Sequence, residues 1–225
     1  MPMGYKVRKA TLPLLPKGAK PITVLHFSDL HLTPNKKREI KQIKSFINLA
    51  PDLVISTGDF LAHPDAVGPV LNALDDLLDL PGLFVFGSND YYAPKFKNPF
   101  SYLRKDHGNI KLGKKLPTTK LRNGLTKRGW LDLNHNKVKI KVNGNLIEAR
   151  GTDDAHLELD NYPLVAGRVS AKCDLSIGVT HAPYERVIAA MAQDELDLIF
   201  AGHTHGGQVR VPWFGGSKLL TTNCD

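Results

Sequence analysis

The amino-acid sequence predicts an α/β protein built around parallel strands. Three apolar runs of strand length, at 22–27, 52–57 and 83–86, alternate with two segments of helical periodicity, at 36–49 and 65–80. The order strand, helix, strand, helix, strand is typical of parallel βαβ units with right-handed crossovers. We therefore expect helices packed against a mainly parallel sheet.

Each of the two predicted helices has one apolar face. The first should begin at Thr33 or Asn35 as N-cap and end at Pro51. Its apolar face consists of Ile40, Ile43, Phe46 and Ile47. The second helix should end at Pro81-Gly82, and its face consists of Val67, Val70, Leu71, Leu74, Leu77 and Leu78.

The second half of the chain contains a predicted hairpin and a further strand–helix–strand unit. The hairpin joins 138–142 to 146–149 through Asn143-Gly144, a pair that favours a tight turn. The later elements are a strand at 175–179, a helix at 184–192, and strands at 196–201, 209–211 and 219–221. Residues 91–130 have weak periodicity, with several prolines, glycines and lysines, and are interpreted as a basic insertion. We expect a single domain over 1–225.

The composition is that of an ordinary globular protein. Of the 225 residues, 42% are hydrophobic and 23% are charged. The two cysteines, Cys173 and Cys224, cannot build a disulfide framework, and a reducing compartment fits them. No apolar run is long enough to cross a bilayer, and the cationic start lacks a signal-peptide core. We expect a cytoplasmic protein, with peripheral contact to a membrane left open.

The net charge of +8 is unevenly distributed. Between 95 and 128 there are eleven Lys or Arg residues and one acid, and residues 1–20 add five more cations. The rest of the chain is therefore acidic. Cationic segments beside an acidic centre suit an anionic substrate or an anionic surface.

Polar clusters follow the predicted strands. They are Asp29-Leu30-His31, Gly58-Asp59, Gly87-Ser88-Asn89-Asp90, Thr180-His181 and the run from Gly202 to Gly207, which contains His203 and His205. Ligands of open α/β sheets bind at the carboxyl ends of the strands, so the sheet should gather these clusters at one edge. Together they offer enough carboxylate and imidazole for two divalent metals, which can activate water to attack a phosphate ester.

Taken singly, most of these clusters have simpler interpretations. Asp29 and His31 could form a surface turn, Asp59 a helix cap, and His181 a hydrogen-bonded core histidine. The pair His203 and His205 is the strongest signal, because flanking glycines let the backbone turn sharply around two ligands. A carboxylate can bridge two cations, and this is the role that we assign to Asp59.

In order and spacing, these motifs resemble the signature of the calcineurin-like metallophosphoesterases. The run Gly-His-Thr-His-Gly-Gly-Gln at 202–208 is similar to a bacterial branch that acts on phospholipid-type diphosphates and phosphodiesters, as UDP-2,3-diacylglucosamine diphosphatases do. The resemblance implies a four-layer sandwich, in which two β-sheets are flanked by helices, with two metals at its rim. It implies that the first metal is held by Asp29, His31 and His205, that Asp59 bridges, and that the second is held by Asn89, His181 and His203.

The chain departs from the family pattern in two places. The third motif of the family usually reads Gly-Asn-His-Asp/Glu, whereas residues 87–90 lack the histidine that lies beside the leaving group. A gapless match puts Ser88 in the ligand position, and a shift of one residue puts Asn89 there. We expect His63 to act as the general acid and Asp90 to join it as a catalytic residue. The chain also stops early, so it is either a fragment or a fold that is incomplete at the C-terminus.

The predicted function is hydrolysis of a phosphoester, or of a phospholipid-type diphosphate or phosphodiester, by a hydroxide that bridges two Mn, Fe or Zn ions. Tyr91 and Tyr92 are candidate substrate-binding residues, and Phe96, Phe100 and Tyr102 lie within the basic segment. Expected partners are an anionic phosphoester and an anionic lipid headgroup or membrane surface, with nucleic acid ranked below them. The alternatives are a nuclease or nucleotide phosphodiesterase, and a non-catalytic metal-binding scaffold of the same fold. The oligomeric state is not predicted.

Overall fold

The first sheet is entirely parallel. The computed structural model describes residues 4–94 and 112–204, together with the backbone of two short strands beyond them. The sheet has the order β1-β2-β3-β4, and its strands are β1 (Val24–Phe27), β2 (Leu53–Ser56), β3 (Gly82–Phe84) and β4 (Leu131–Asp132). All three pairings are parallel, which confirms the expected βαβ arrangement.

The second sheet is mixed and begins with the predicted hairpin. Its order is β5-β6-β7-β8, and its strands are β5 (Lys137–Val142), β6 (Asn145–Gly151), β7 (Leu175–Val179) and β8 (Leu198–Phe200). The turn between β5 and β6 has positive φ at both Asn143 (50°) and Gly144 (88°), as a type I′ turn requires. A separate antiparallel pair joins β9 (Val209–Arg210) to β10 (Leu219–Leu220).

The helices are shorter than the periodicity predicts. They are α1 (Lys37–Lys44), α2 (Val67–Leu74), α3 (Ser88–Tyr91), α4 (Thr118–Lys127) and α5 (Glu185–Gln193). The expected helix at 65–80 is an α-helix with 3₁₀ turns on both sides, at Pro64–Ala66 and Asp75–Asp79. The prediction of an N-cap at Thr33 or Asn35 is wrong, because α1 starts after Lys36 with no side-chain cap.

Two sheets flanked by helices form four layers, as predicted. In β2, alternate side chains enter different cores because successive residues of a strand point to opposite faces. Val54 packs towards the helices on one side, and Leu53 and Ile55 pack between the sheets. Val187 and Met191 of α5 belong to a third core on the outer face of the second sheet.

A buried ionic cluster crosses the second sheet. The guanidinium of Arg150 is fully buried and donates hydrogen bonds to Glu148, to Asp194 at 2.8 Å, and to the carbonyl of Gly167. Burial by itself would raise the pKa of Glu148, but the hydrogen bonds from Arg150 and from the amide of Ser170, together with the charges of Arg150 and Lys137, outweigh it and the pKa is lowered. Glu148 and Arg150 therefore both stay charged inside the protein, because each offsets the desolvation cost of the other.

Part of the segment interpreted as a basic insertion, 91–130, forms helix α4, and whether the segment is an insertion stays a prediction. Helix α4 buries Leu121 and Leu125 against the first core, and Trp130 follows them into it. Its periodic signal was weak because only two large apolar residues, one turn apart, lie among lysines and threonines. The remainder of the basic segment, 95–111, lies outside the described residues together with Phe96, Phe100 and Tyr102. In the described ranges, no helix combines the length and the apolar character needed to cross a membrane.

Candidate metal centre

The backbone pairing of β1 and β2 continues past the ends of both strands and aligns two polar clusters. The amides of Asp29, His31 and Leu32 donate to the carbonyls of residues 58, 59 and 60, each at 2.9 Å. This ladder holds the Asp-x-His motif directly beside Asp59. The carboxyl ends of neighbouring parallel strands therefore meet as the sequence predicts.

Asp29, His31 and Asp59 form a compact group of ligand atoms. Their atoms lie within 4.8 Å of one another. The Nε2 atom of His31 is 3.6 Å from Oδ2 of Asp59 and 3.8 Å from Oδ1 of Asp29. Donor atoms about 2.1 Å from a tetrahedral cation are about 3.4 Å apart, so these separations suit a shared metal.

His181 reaches the same carboxylate from the second sheet. Its side chain is fully buried, and its Nδ1 lies 2.6 Å from the carbonyl oxygen of Thr57, which fixes the proton on Nδ1. Its Nε2 lies 3.6 Å from Oδ2 of Asp59 and makes no hydrogen bond with any described residue. A buried imidazole nitrogen that lies close to a carboxylate without a hydrogen bond leaves room for a cation that both groups could bind.

The charges around the two innermost histidines differ. Burial would lower the pKa of His181, but the carboxylates of Asp59, Asp154 and Asp29 outweigh it and raise the pKa. Burial, followed by the neighbouring His181 and His156, lowers the pKa of His203 to about 4. The pocket therefore attracts a cation while keeping His203 neutral, as a ligand must be.

His203 lies at the edge of this group. Its backbone amide donates to Oδ2 of Asp29 at 3.1 Å, and its ring centroid is 5.2 Å from that of His181. The placement is compatible with the expectation that His181 and His203 hold one metal, which stays a prediction. His205, which is predicted to complete the first metal site, lies outside the described residues.

Four candidate ligands have left-handed backbone conformations. The φ angles are 56° at Asp29, 43° at His31, 56° at Asp59 and 66° at His203. Such values are uncommon for residues other than glycine and persist only where the surrounding structure enforces them. Their concentration at one place is typical of a functional site.

Asn89 of the third motif lies next to Asp59. Its backbone amide donates to Oδ1 and its side-chain amide to Oδ2 of Asp59, both at 2.7 Å. A half-turn of the side-chain amide would bring its oxygen to the same position, where it could serve as a ligand. The position of Asn89 is thus compatible with the predicted role, which stays a prediction.

Asp90 lies beneath the site and holds its backbone. The side chain is fully buried, and Oδ1 accepts from the amides of Phe60 and Leu61 at 2.8 and 3.1 Å. Oδ2 accepts from the amides of Asp59 and Gly87 at 2.8 and 3.0 Å. Burial, followed by the charge of Asp59, raises the pKa of Asp90 to about 8. These contacts favour a positioning role over the predicted catalytic one.

The other predicted site residues have contacts of their own. His63 is half-exposed and caps a 3₁₀ turn, with Nδ1 accepting from the amide of Asp65 at 3.1 Å, so its role as general acid stays a prediction. Tyr91 donates to both carboxylate oxygens of Asp153 at 2.8 Å and packs beside Phe86. Tyr92 is partly exposed. The substrate-binding role of both tyrosines stays a prediction.

A further polar cluster follows β6, and the sequence reasoning missed it. Asp154 is fully buried and caps the turn that carries His156, and burial raises its pKa to about 6. The ring of His156 lies 4.8 Å from that of His203, and its Nδ1 is 3.1 Å from the hydroxyl of Tyr184. The segment 151–156 has the same strand-then-polar layout as the predicted clusters, so that signal could have identified it.

The residues present fit a divalent metal. The structure supplies two close carboxylates, three buried or half-buried imidazoles and an orphaned Nε2 on His181. Mixed oxygen and nitrogen ligands of this kind accept Mn, Fe or Zn. A methyl group at Gly87 would overlap Oδ1 of Asp59 and come within 2.6 Å of Cε1 of His181, so the backbone itself leaves room for the cluster.

Comparisons with known proteins agree with this geometry. The profile of the family described as calcineurin-like phosphoesterase matches residues 22–207. The chain is 30% identical over 226 residues to the uncharacterized protein YpbG of Bacillus subtilis, covering 97% of the chain and 75% of YpbG. It is 29% and 27% identical to the uncharacterized metallophosphoesterases YkuE and YkoQ of the same organism.

The similarity extends over most of the chain but not over all of these relatives. The alignments cover 90% of the chain with YkuE and 86% with YkoQ. The chain spans 64% of the length of each, which is less than two thirds. The matched region contains every candidate ligand named above. The chain belongs to the calcineurin-like phosphoesterase family and is a metal-dependent phosphoesterase, a hydrolase of phosphoric esters.

Proposed function

We propose that the chain is a dinuclear metallohydrolase in which Asp59 bridges two divalent cations, drawn from Mn, Fe and Zn. One observation carries this proposal. Oδ2 of Asp59 lies 3.6 Å from Nε2 of His31, in the first sheet's loop, and 3.6 Å from Nε2 of His181, in the second sheet's loop. A carboxylate placed between two imidazoles is well positioned to bridge two metals.

In this proposal, each sheet contributes one side of the centre. The first metal is held by Asp29, His31 and His205, and the second by Asn89, His181 and His203. Two bound divalent cations would activate water and offset the negative charge that develops on a phosphoryl group. The assignment of His205 depends on the family motif alone.

The chain's own residues prepare this centre. Thr57 orients His181 through its carbonyl, and Asp90 fixes the amides on both sides of Asp59. Both contacts lie in the dry interior, where a misplaced ligand cannot be replaced by solvent. We infer that their role is to hold the ligands at a fixed separation, as hydrogen-bonded partners behind metal ligands do.

The substrate that we propose is an anionic phosphoester, of the phospholipid-type diphosphate or phosphodiester class. The support comes from charge: the chain carries +8 overall, while its candidate ligands form an acidic cluster. Cations around an acidic metal-binding centre guide an anion towards it.

Replacement of Asp59 by asparagine tests the bridging role. We expect Asp59→Asn to lower metal-dependent hydrolysis of bis(p-nitrophenyl) phosphate by more than about 100-fold. Replacing a residue that only hydrogen-bonds to a metal ligand already lowers metal affinity or activity by about 10–100-fold. Metal analysis of the purified variant should show less than the wild-type content. Asp76→Asn, a change of the same chemistry at an exposed residue, is the matched control. Wild-type activity in Asp59→Asn would remove Asp59 from the mechanism.

A further inference from the structure

Residues 4–21 form a segment that we call the amino-terminal strap. It contains no helix or strand, and most of its side chains are exposed. Prolines at 13 and 16 oppose a helix in its middle. The strap is nevertheless fixed to the body of the protein at both ends.

The first end of the strap is bound to helix α1, and one side chain reaches the loop that contains Asp29 and His31. The amide of Tyr5 donates to Oε1 of Gln42 at 2.8 Å, and Nε2 of Gln42 donates back to the carbonyl of Tyr5 at 2.6 Å. The hydroxyl of Tyr5 donates to the carbonyl of Leu30 at 3.3 Å. Leu30 lies between the candidate ligands Asp29 and His31, so the side chain of Tyr5 contacts the backbone of this loop.

The second end is tied to the hairpin of the other sheet. The side-chain amide of Asn145 donates to the carbonyl of Lys20 at 2.9 Å, and that of Asn143 to the carbonyl of Pro21 at 3.0 Å. Between the two ends, Leu15 packs against the core between the sheets. The strap therefore presents a defined surface rather than a free tail.

The strap is strongly cationic. Its charged residues are five cations and no acid, namely Lys6, Arg8, Lys9, Lys17 and Lys20, and all five are exposed. Within the described ranges, none of them forms an ion pair. Their charge is thus available to an external anionic partner.

The same segment exposes large aliphatic side chains. Val7, Leu12 and Leu14 are 51%, 54% and 37% exposed. They are half of the large apolar residues that the structure shows exposed within its described part, the others being Leu112, Leu159 and Leu164. Cations interleaved with exposed aliphatic groups match a surface that offers both negative headgroups and an apolar layer.

This combination favours a lipid bilayer over a nucleic acid. Proteins that bind single strands stack bases on exposed aromatic rings, and the strap's one aromatic residue, Tyr5, packs edge-on against Phe46. Aliphatic side chains beside lysines have no matching partner on a phosphate backbone, whereas they enter the interface of a membrane.

We propose that the strap docks the protein on an anionic phospholipid bilayer through its exposed cations and aliphatic side chains. The docking does not depend on the proposed hydrolase function.

Vesicle binding tests the docking directly. The full chain is sedimented with vesicles of phosphatidylcholine, with and without about 30% phosphatidylglycerol, at low and high salt. We expect binding to the anionic vesicles, at least about 10-fold weaker binding to neutral ones, and loss of binding in high salt. Equal binding to both vesicle types would overturn the proposal.

Two matched variants locate the contact. The triple change Lys6→Gln, Arg8→Gln and Lys9→Gln should weaken binding to anionic vesicles by at least about 10-fold. Lys120→Gln, Lys127→Gln and Lys172→Gln, three exposed lysines outside the strap, remove the same charge and should change binding by less than about 3-fold. Equal losses in the two variants would show that net charge, and not the strap, is responsible.

The aliphatic contribution has its own variant, and activity is read separately. Leu12→Ser with Leu14→Ser should weaken vesicle binding while all five cations remain, and unchanged binding would contradict insertion of these side chains. Hydrolysis of soluble bis(p-nitrophenyl) phosphate is measured on the same wild-type sample. Vesicle binding without hydrolysis would support the docking and refute the proposed function. Hydrolysis without vesicle binding would support the proposed function and refute the docking.

Discussion

Replacing Asp90 with asparagine should loosen the candidate metal centre without removing any of its ligands. The carbonyl oxygen of asparagine can still accept from the amides of Phe60 and Leu61. Its NH₂ group, in place of Oδ2, faces the amides of Asp59 and Gly87, which are donors as well. Two buried N–H groups then lose their acceptor.

The structure gives the size of this effect. A buried donor left unsatisfied costs about 1–3 kcal/mol, so two of them should lower the free energy of unfolding by about 2–6 kcal/mol. Asp90→Ala leaves all four amides without an acceptor and should lower the free energy of unfolding further. Equilibrium unfolding in urea measures both changes, with Asp76→Asn as an exposed control. A loss below about 1 kcal/mol for Asp90→Asn would refute the reasoning, because the amides would then have found other acceptors.

Metal content separates the positioning role of Asp90 from the predicted catalytic one. A loop that shifts at Asp59 should weaken metal binding by about 10–100-fold in Asp90→Asn, and activity should recover in part when metal is added in excess. A catalytic Asp90 would give the opposite pattern, in which metal binding and stability are unchanged and activity is lost at every metal concentration.

Three further predictions concern close packing and buried charge. Gly87→Ala should weaken metal binding by at least about 10-fold in a calorimetric titration, because its methyl group overlaps Asp59 and crowds His181; wild-type affinity would show that the loop can move aside. Arg150→Met should lower the free energy of unfolding in urea by about 3–5 kcal/mol, since it removes the only buried cation that contacts Glu148 among the described residues and leaves the more exposed Lys137 and Lys139 at 3.9 and 3.8 Å; a loss under about 1 kcal/mol would count against this. The lowered pKa of Glu148 contributes stability that is complete above its unfolded pKa of about 4.3 and is lost as the pH falls through the folded value. Wild type should therefore lose more stability than Glu148→Gln between about pH 5 and 3, and parallel urea curves for the two would exclude the linkage.

The convergence of the metal-binding motifs was predictable because it depends on simple features of the chain. Short apolar runs separated by helices define parallel strands, and the polar residues that follow each run must gather at one sheet edge. Asp29, His31 and Asp59 meet for this reason, whereas His181 follows β7 of the second sheet and meets them because the two sheets pack together. The turn at Asn143-Gly144 was equally local, since its left-handed backbone is encoded by the two residues themselves.

Other features depended on partners distant in sequence. Helix α4 was missed because Leu121 and Leu125 make a faint pattern until the first core supplies their neighbours. The function of Asp90 could not be predicted from its motif, since three of its four hydrogen-bond donors lie about thirty residues earlier. Asp154 and His156 follow β6 in the same layout as the other clusters, so their place at the site depends on local sequence alone.

The ladder that joins residues 29–32 to 58–60 has a consequence for the choice of metal. Main-chain hydrogen bonds fix these two loops, and so the coordination cage takes its shape from the polypeptide before an ion enters it. A rigid cage imposes its own ligand spacing on whichever ion occupies it, instead of adapting to each ion's preferred geometry. An ion whose preferred geometry departs from this spacing would then bind more weakly, so the backbone itself contributes to the choice among Mn, Fe and Zn.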